Sequence, residues 1–235
     1  LDGATEVTEA GSTDTFTVVL DAQPTSDVVI TVTPNDTTEV STTGTLTFTP
    51  INWDTPQTVT VTGVDEDIVD GTITSAITLA VVDATSNDNF DAVADQTVSV
   101  STTDDDVAGF TIVELDGATE VDESGTTDTF TVVLDAQPSD NVVIAMSSSD
   151  IGEATISGTI SFTPANWDTP QTVTVTGVDE NTIDGDQTST ITITIVDSIS
   201  DSDFSNVADQ TVSVVTTDDD VAGFTIVELD GATEV

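Results

Sequence analysis

Acidic side chains gather in short clusters, and these are the places where the sequence could do chemistry. The first half of the chain holds Glu9, the run Asp65-Glu66-Asp67 with Asp70, and the triplet Asp104-Asp105-Asp106. The second half holds Glu123, Asp179-Glu180 with Asp184, and the triplet Asp218-Asp219-Asp220. Carboxylates that converge on one place cannot all stay ionised unless a cation lies among them. Calcium accepts about six to eight oxygen ligands in a flexible geometry, so the clusters predict calcium sites.

Simpler explanations compete with calcium at some of these positions. Asp at a strand end often caps a turn, and an acidic surface also suits a saline habitat. We favour calcium for the two triplets with Asp65 and Asp179, and the simpler explanations for Asp36, Glu39, Asp150 and Glu153. Glu39 and Glu153 are secondary calcium candidates. The loops 87–91 and 201–205 are interpreted as solvated turns rather than as a further metal site.

The composition excludes most other chemistry. The chain has 45 Asp and Glu residues and no Lys, Arg, His, Cys or Tyr, for a formal charge of −45. It can form no catalytic triad, thiolate nucleophile, Schiff base, disulfide or ordinary zinc site. Nothing is available to neutralise phosphates, so nucleic acid is excluded as a partner. No apolar run is long enough to span a bilayer, so we expect no membrane insertion in this segment.

The sequence is a tandem repeat. Residues 1–121 recur as residues 115–235 without an insertion or deletion, and Leu1–Val7 appears again at Leu115 and at Leu229. A period this long is a whole domain rather than one turn of a solenoid. Three domains are predicted. Residues 1–106 form a repeat that lacks its first strand, and residues 107–220 form a complete repeat. Residues 221–235 are the opening strand of a third repeat. Near-identical domains in series favour a structural role over an enzymatic one.

Each repeat shows the alternation of β-strands. Phe16, Val18 and Leu20 fall on one face, and Ile191, Ile193 and Ile195 alternate with threonines. Clusters of Gly, Pro, Asn and Asp separate such segments, and no stretch shows a helical period. The pattern predicts an all-β fold: tandem immunoglobulin-like antiparallel β-sandwiches of about seven strands each, arranged as an extended rod.

Several segments together resemble the Calx-beta domain, which occurs in sodium–calcium exchangers, integrin β4 and giant bacterial surface proteins. They are Glu123-Ser-Gly, Gly158-Thr-Ile-Ser-Phe-Thr-Pro164, the acidic segment 178–186, and Gln210-Thr-Val-Ser-Val-Val-Thr-Thr-Asp-Asp-Asp220. The resemblance covers essentially each whole repeat.

The resemblance implies which residues bind calcium. In the first repeat these are Glu9, Asp65, Glu66 and the triplet Asp104, Asp105 and Asp106. In the second they are Glu123, Asp179, Glu180 and the triplet Asp218, Asp219 and Asp220. Glu39 and Glu153 are the nearest counterparts of one further family ligand, an Asp. Asp70 and Asp184 stand where the family has a Glu-Gly-Asp-Glu segment.

We therefore expect calcium-stiffened extender repeats of a secreted adhesin or surface filament, extracellular and without enzymatic activity. The expected partners are neighbouring repeats of the same chain. Three alternatives remain: a glycan-binding module that uses Trp53 and Trp167, a carboxylate-pair hydrolase, and a fibre subunit. In the fibre, residues 221–235 of one chain would complete the first domain of the next, but we favour a continuous polypeptide as the explanation of this segment. Rows of outward threonines are interpreted as ordinary solvated strands rather than as an ice-binding surface.

Overall fold

The computed structural model describes residues 4–115 and 117–227, and they divide into two compact units, Leu1–Val107 and Ala108–Val235. The regular secondary structure of both units is nearly all β-strand, and the sheets form sandwich-like arrangements, which confirms the predicted fold class. That the units form an extended rod stays a prediction.

The first unit contains two facing sheets. Its strands are β1 (Thr5–Thr8), β2 (Thr13–Val18), β3 (Val28–Pro34), β4 (Val40–Thr42), β5 (Leu46–Phe48), β6 (Gln57–Gly63), β7 (Ile73–Val81) and β8 (Gln96–Thr103). One sheet has the order β1-β8-β7-β3-β5 and the other the order β2-β6-β4. Their inward residues form one apolar core that includes Val28, Phe48 and Ile77.

The second unit repeats this arrangement with one strand more. Its strands are β9 (Phe110–Glu114), β10 (Thr119–Asp122), β11 (Thr127–Leu134), β12 (Val142–Ser148), β13 (Ala154–Ile156), β14 (Thr159–Phe162), β15 (Gln171–Gly177), β16 (Gln187–Ile195) and β17 (Gln210–Thr217). The sheet orders are β10-β17-β16-β12-β14 and β13-β15-β11-β9. Ile191, Ile193 and Ile195 are buried, as their alternation predicts.

One strand pair in each unit is parallel, which the sequence pattern did not indicate. β1 lies beside β8 with Thr8 opposite Thr103, and β10 lies beside β17 with Asp122 opposite Thr217. The other pairs are antiparallel. Because parallel neighbours end at the same edge, the residues that follow β1 and β8 come together.

The predicted opening strand at 221–235 falls partly outside the described residues, which end at Val227. Residues 221–227 form no strand here, and their apolar side chains Phe224 and Ile226 are exposed. That this segment opens a third repeat stays a prediction.

Candidate functional site

Four chain segments of the first unit converge at one end of the sandwich. They are the turn after β1, the residue before β4, the loop after β6 and the triplet after β8. The Glu9 N–H donates to the carbonyl oxygen of Thr103 at 3.1 Å, which joins the first segment to the last. The Val64 N–H donates to the carbonyl oxygen of Glu39 at 2.9 Å, which joins the other two. The acidic clusters of the sequence are thus brought to one place.

A glycine at the end of β6 permits this convergence. A Cβ atom on Gly63 would lie 2.0 Å from the carbonyl oxygen of Thr8, a distance that no side chain tolerates. In the second unit the Cβ of a residue replacing Gly177 would lie 2.0 Å from the carbonyl oxygen of Asp122. Both glycines are therefore needed for the backbone to approach the turn that carries Glu9 or Glu123.

The first Asp of each triplet ties the acidic loop to the triplet. One oxygen of Asp104 accepts the N–H of Gly71 at 2.7 Å and that of Asp70 at 3.1 Å. Its other oxygen accepts the N–H of Asp106 at 2.7 Å. A carboxylate oxygen has two lone pairs, and Asp104 Oδ1 uses only one of them, so Asp104 can hold the loop and still offer an oxygen to a cation.

Asp218 has the same role in the second unit. It accepts the N–H of Gly185 and the N–H of Asp220, each at 2.8 Å. These donors, that of Gly185 first, hold the pKa of Asp218 below its ordinary value. The carboxylate is thereby kept ionised in its acidic surroundings.

The converging carboxylates form two overlapping groups in each unit, with one oxygen from every member within 4.8 Å of the others. In the first unit, one group contains Glu9, Glu39, Glu66 and Asp70, and the other contains Glu9, Asp104 and Asp106. The corresponding groups of the second unit are Glu123, Glu153, Glu180 and Asp184, and Glu123, Asp218 and Asp220. Because one Glu belongs to both groups, the arrangement offers two adjacent cation positions that share a ligand.

The shared Glu is buried without a counter-charge. Glu9 is fully buried, and neither of its carboxylate oxygens has a hydrogen-bond partner. Burial, followed by the charges of Asp104, Glu39, Asp70 and Glu66, raises the pKa of Glu9 from 4.5 to about 7. A buried polar group without a partner is costly, and a buried charge more so. No Lys, Arg or His exists in the chain to compensate it.

Neighbouring carboxylates share this environment. Burial, followed by the charges of Asp70, Glu39, Asp104 and Asp106, raises the pKa of Glu66 to about 7. Burial is also the largest cause that raises the pKa of Glu39 and that of Asp106. A cation among these carboxylates would offset both the cost of burying their charge and the repulsion between them.

The second unit reproduces the buried Glu. Glu123 is fully buried, and burial followed by the charge of Asp218 raises its pKa. The backbone N–H of Asp219 lowers that pKa in part, but neither carboxylate oxygen of Glu123 has a partner in hydrogen-bond geometry. Glu153 Oε2 and Asp220 Oδ2 are likewise buried without partners. The donor set consists of oxygens alone, which fits a hard cation such as calcium.

Not every predicted ligand belongs to these groups. Asp65, Asp105, Asp179 and Asp219 are exposed and lie outside them. Asp104 and Asp106 are half-buried whereas Asp105 between them is exposed, so the middle residue of the triplet faces away from the site. Asp65 still lies close enough for its charge to raise the pKa of Asp106, and Asp179 acts likewise on Asp220.

Four secondary candidates, in contrast, are members of the groups: Glu39, Asp70, Glu153 and Asp184. Sequence reasoning gave no role to Gly63 and Gly177, and it did not assign the first Asp of each triplet to holding the loop. The signal that could have found the glycines is the segment Gln-Thr-Val-Thr-Val-Thr-Gly, which forms the whole of β6 and of β15 and ends in the glycine.

Several positions outside the acidic groups have structural roles. Asp36 Oδ1 accepts the N–H of Thr38 at 3.0 Å, and Asp150 Oδ1 accepts that of Gly152 at 2.9 Å, so both side chains cap turns. Asn87 and Asp201 accept the N–H two residues ahead, as Asx turns do. Trp53 is half-buried and packs against the apolar core.

No protein-family model matches the chain, and no curated protein matches it. Among solved structures, the calcium-binding domain CBD12 of CALX1.1 is 16% identical with a TM-score of 0.33, over 82% of this chain and 77% of that one. Domains 1–6 of the surface layer protein SbsC are 17% identical with a TM-score of 0.39, over 80% of this chain and 20% of that one. An endo-fucoidan hydrolase from glycoside hydrolase family 107 is 12% identical with a TM-score of 0.28, over 93% of this chain and 28% of that one. Likeness at this level carries no argument about the site.

Residues 4–115 and 117–227 contain no helix with the length and apolar character needed to cross a bilayer.

Proposed function

We propose that both units are calcium-binding structural modules that extend a secreted adhesin or surface filament. The observation that carries the proposal is the pair Glu9 and Glu123. Each is a fully buried carboxylate without a hydrogen-bond partner, shared by two acidic groups, in a chain with no cationic side chain. Such a group needs a cation or a proton to be tolerated in the folded state.

Calcium suits this donor set better than other metals. The two groups of each unit supply only carboxylate oxygens, and these come from several chain segments. Magnesium demands near-ideal octahedral geometry and keeps several waters, whereas transition metals favour nitrogen or sulfur ligands. Calcium tolerates about six to eight ligands at irregular angles.

The proposed action is mechanical. A calcium ion between Glu9, Asp104 and Asp106 would hold the turn after β1 against the triplet that ends the first unit. A second ion, between Glu39, Glu66 and Asp70, would hold the acidic loop. Because the triplet leads within a few residues into β9, ordering it would limit the freedom of the connection to the next unit.

Calorimetric titration of the full chain with calcium tests the binding. We expect saturable, calcium-selective binding, with magnesium much weaker. The variant pair Glu9→Gln and Glu123→Gln should weaken it. The matched control pair Asp105→Asn and Asp219→Asn removes the same charge from exposed positions outside the groups and should leave it nearly unchanged. If both variant pairs lose the same amount of calcium affinity, calcium only screens the overall charge.

Small-angle X-ray scattering tests the mechanical role separately. We expect a larger radius of gyration and a narrower distribution of conformations in calcium than in chelator. The same scattering curve in both conditions would contradict stiffening, even if calcium binds.

The rival functions gain little support. Glycan binding would need an accessible tryptophan, and both Trp53 and Trp167 are half-buried, Trp53 against the apolar core. A carboxylate-pair hydrolase would need its raised-pKa acid beside a cleft. The apolar groove of the first unit contains Asp21 and none of the raised-pKa carboxylates named above. That the chain is no enzyme remains a prediction.

A further inference from the structure

A buried threonine lies beneath the acidic groups of each unit. In the first unit it is Thr102 on β8, which is fully buried and whose hydroxyl has no hydrogen-bond partner. Thr102 lies opposite Val7 in the parallel pair of β1 and β8. Thr102 comes two residues before Asp104, just as Val7 comes two residues before Glu9. The hydroxyl therefore lies under the end of the sandwich where the carboxylates meet.

Glu39 is an acceptor close to this hydroxyl. Glu39 is buried, and its Oε2 atom has no hydrogen-bond partner either. Burial, followed by the charges of Asp70 and Asp36, raises the pKa of Glu39, whereas the hydroxyl of Thr102 acts on that pKa in the opposite direction. A donor and an acceptor are thus close together, both buried and not in hydrogen-bond geometry. A change of side-chain rotamer can join them.

The second unit has the same arrangement. Thr216 on β17 is fully buried and lies opposite Val121, which comes two residues before Glu123. The Thr216 hydroxyl donates to the carbonyl oxygen of Glu153 at 3.4 Å, which is longer than an ordinary hydrogen bond. Glu153 Oε2 is buried without a partner. In both units a threonine hydroxyl therefore adjoins a glutamate that belongs to the larger acidic group.

A glutamate is an effective ligand only if its long side chain is held in place. Ordering a flexible side chain costs conformational entropy. Carboxylates that bind metals are commonly hydrogen-bonded in turn, because the outer partner fixes their orientation. Asp104 and Asp218 accept such bonds from the backbone N–H groups of the acidic loops. Neither Glu39 Oε2 nor Glu153 Oε2 accepts one from the backbone.

We propose that Thr102 and Thr216 are positioning residues, which donate a hydrogen bond to the carboxylates of Glu39 and Glu153 and aim them at the cation. One oxygen of each glutamate accepts the threonine proton, and the other faces the ion. This inference rests on the proposed function, because the role exists only if the acidic groups bind calcium. In the metal-free protein the Thr102 hydroxyl is unpaired, so it serves binding rather than the stability of the fold.

Paired substitutions in the full chain, measured by calorimetric titration with calcium, test the proposal. Thr102→Val with Thr216→Val keeps the shape of each side chain and removes its hydroxyl, and should weaken calcium binding by about tenfold. In chelator the same variant should melt no lower than the unsubstituted protein, because a methyl group replaces a poorly paired buried hydroxyl. A loss of affinity without a loss of stability is not the behaviour of a residue that only packs.

Two further variants are the controls. Thr102→Ser with Thr216→Ser keeps the hydroxyl and should retain most of the calcium affinity, although each residue loses a buried methyl group. Thr97→Val with Thr211→Val makes the same change at exposed positions of β8 and β17 and should bind calcium as the unsubstituted protein does.

The outcomes separate this inference from the proposed function. If the unsubstituted protein binds calcium and the valine variant binds it equally well, the positioning role is overturned and calcium binding stands. A serine variant as weak as the valine variant would also overturn the positioning role, because the hydroxyl would then not be responsible. An unsubstituted protein that does not bind calcium would overturn both.

Discussion

At the scale of single residues, Glu9 and Glu123 are the most informative positions. Both follow a strand that is paired in parallel, and both are buried among acidic side chains with no hydrogen-bond partner. Desolvation and like charge act in the same direction, so each Glu is tolerated only when a proton or a cation is present. The calcium proposal rests on this pair.

Replacing the buried charge separates folding from binding. Glu9→Gln keeps the shape of the side chain and removes its charge, so in chelator it should raise the melting temperature of the first unit by several degrees. The same variant should weaken calcium binding to that unit by at least about tenfold, because affinity depends on ligand charge. Differential scanning calorimetry with and without calcium measures both effects.

Asp105→Asn is the control for this experiment, because Asp105 is exposed and lies outside both acidic groups. Asp105→Asn should change neither the melting temperature in chelator nor the calcium affinity of the first unit by much. If Glu9→Gln and Asp105→Asn behave alike, the buried carboxylate is not a ligand.

The pKa values also predict how stability depends on pH. In chelator the pKa of Glu9 and that of Glu66 are about 7 in the folded protein, against an ordinary value of 4.5. A carboxyl whose folded pKa is raised stabilises the fold at low pH, and this contribution is lost as the pH rises through 7. The metal-free protein should therefore melt at a higher temperature at pH 5 than at pH 8.

Calcium should reverse this trend, because protons compete with the ion for the same oxygens. Melting curves at several pH values, with chelator and with calcium, test both statements. In chelator, the double variant Glu9→Gln with Glu66→Gln should show a flatter pH dependence. A metal-free protein whose stability falls from pH 8 to pH 5 would contradict the account.

At the scale of elements, the alternation of apolar residues was enough to predict the strands. Leu20, Ile191 and Ile193 are buried as their spacing indicates, whereas Phe16 and Val18 are half-buried. The parallel pairing of β1 with β8 was not predictable, because pairing depends on contacts distant in sequence rather than on local pattern. For the same reason the sequence favours Asp65 over Glu39 as a ligand, whereas in the structure Glu39 is buried in the site and Asp65 is exposed.

A glycine substitution tests how the elements hold the site. Gly63→Ala places a Cβ against the carbonyl oxygen of Thr8, so β6 or the turn with Glu9 must shift. We expect a destabilisation of about 1–3 kcal/mol, typical of overpacking, together with weaker calcium binding to the first unit. Chemical denaturation measures the loss of stability, and calorimetric titration measures the calcium binding.

Gly44→Ala is the matched control, since no atom lies within 4 Å of the Cβ that it would add. It should be neutral or slightly stabilising. A fully stable Gly63→Ala variant with normal calcium binding would show that the close approach of β1 and β6 does not position the ligands.

At the scale of the whole molecule, charge is the dominant constraint. With 45 acidic residues and no basic ones, the folded chain repels itself at low ionic strength. A diffuse atmosphere of sodium ions reduces this repulsion everywhere, whereas specific sites respond to small amounts of calcium. The sequence alone revealed the charge and the repeat, but only the structure shows which carboxylates lack partners.

The most direct test of calcium stabilisation is a thermal melt of the full chain followed by circular dichroism. The melt is recorded in chelator, in millimolar calcium, in millimolar magnesium and in high sodium chloride. We predict a large rise in melting temperature that is specific to calcium and is absent when Glu9→Gln and Glu123→Gln are combined. Equal melting temperatures in calcium, magnesium and high sodium would contradict the account, because the acidic groups would then serve only to solvate the surface.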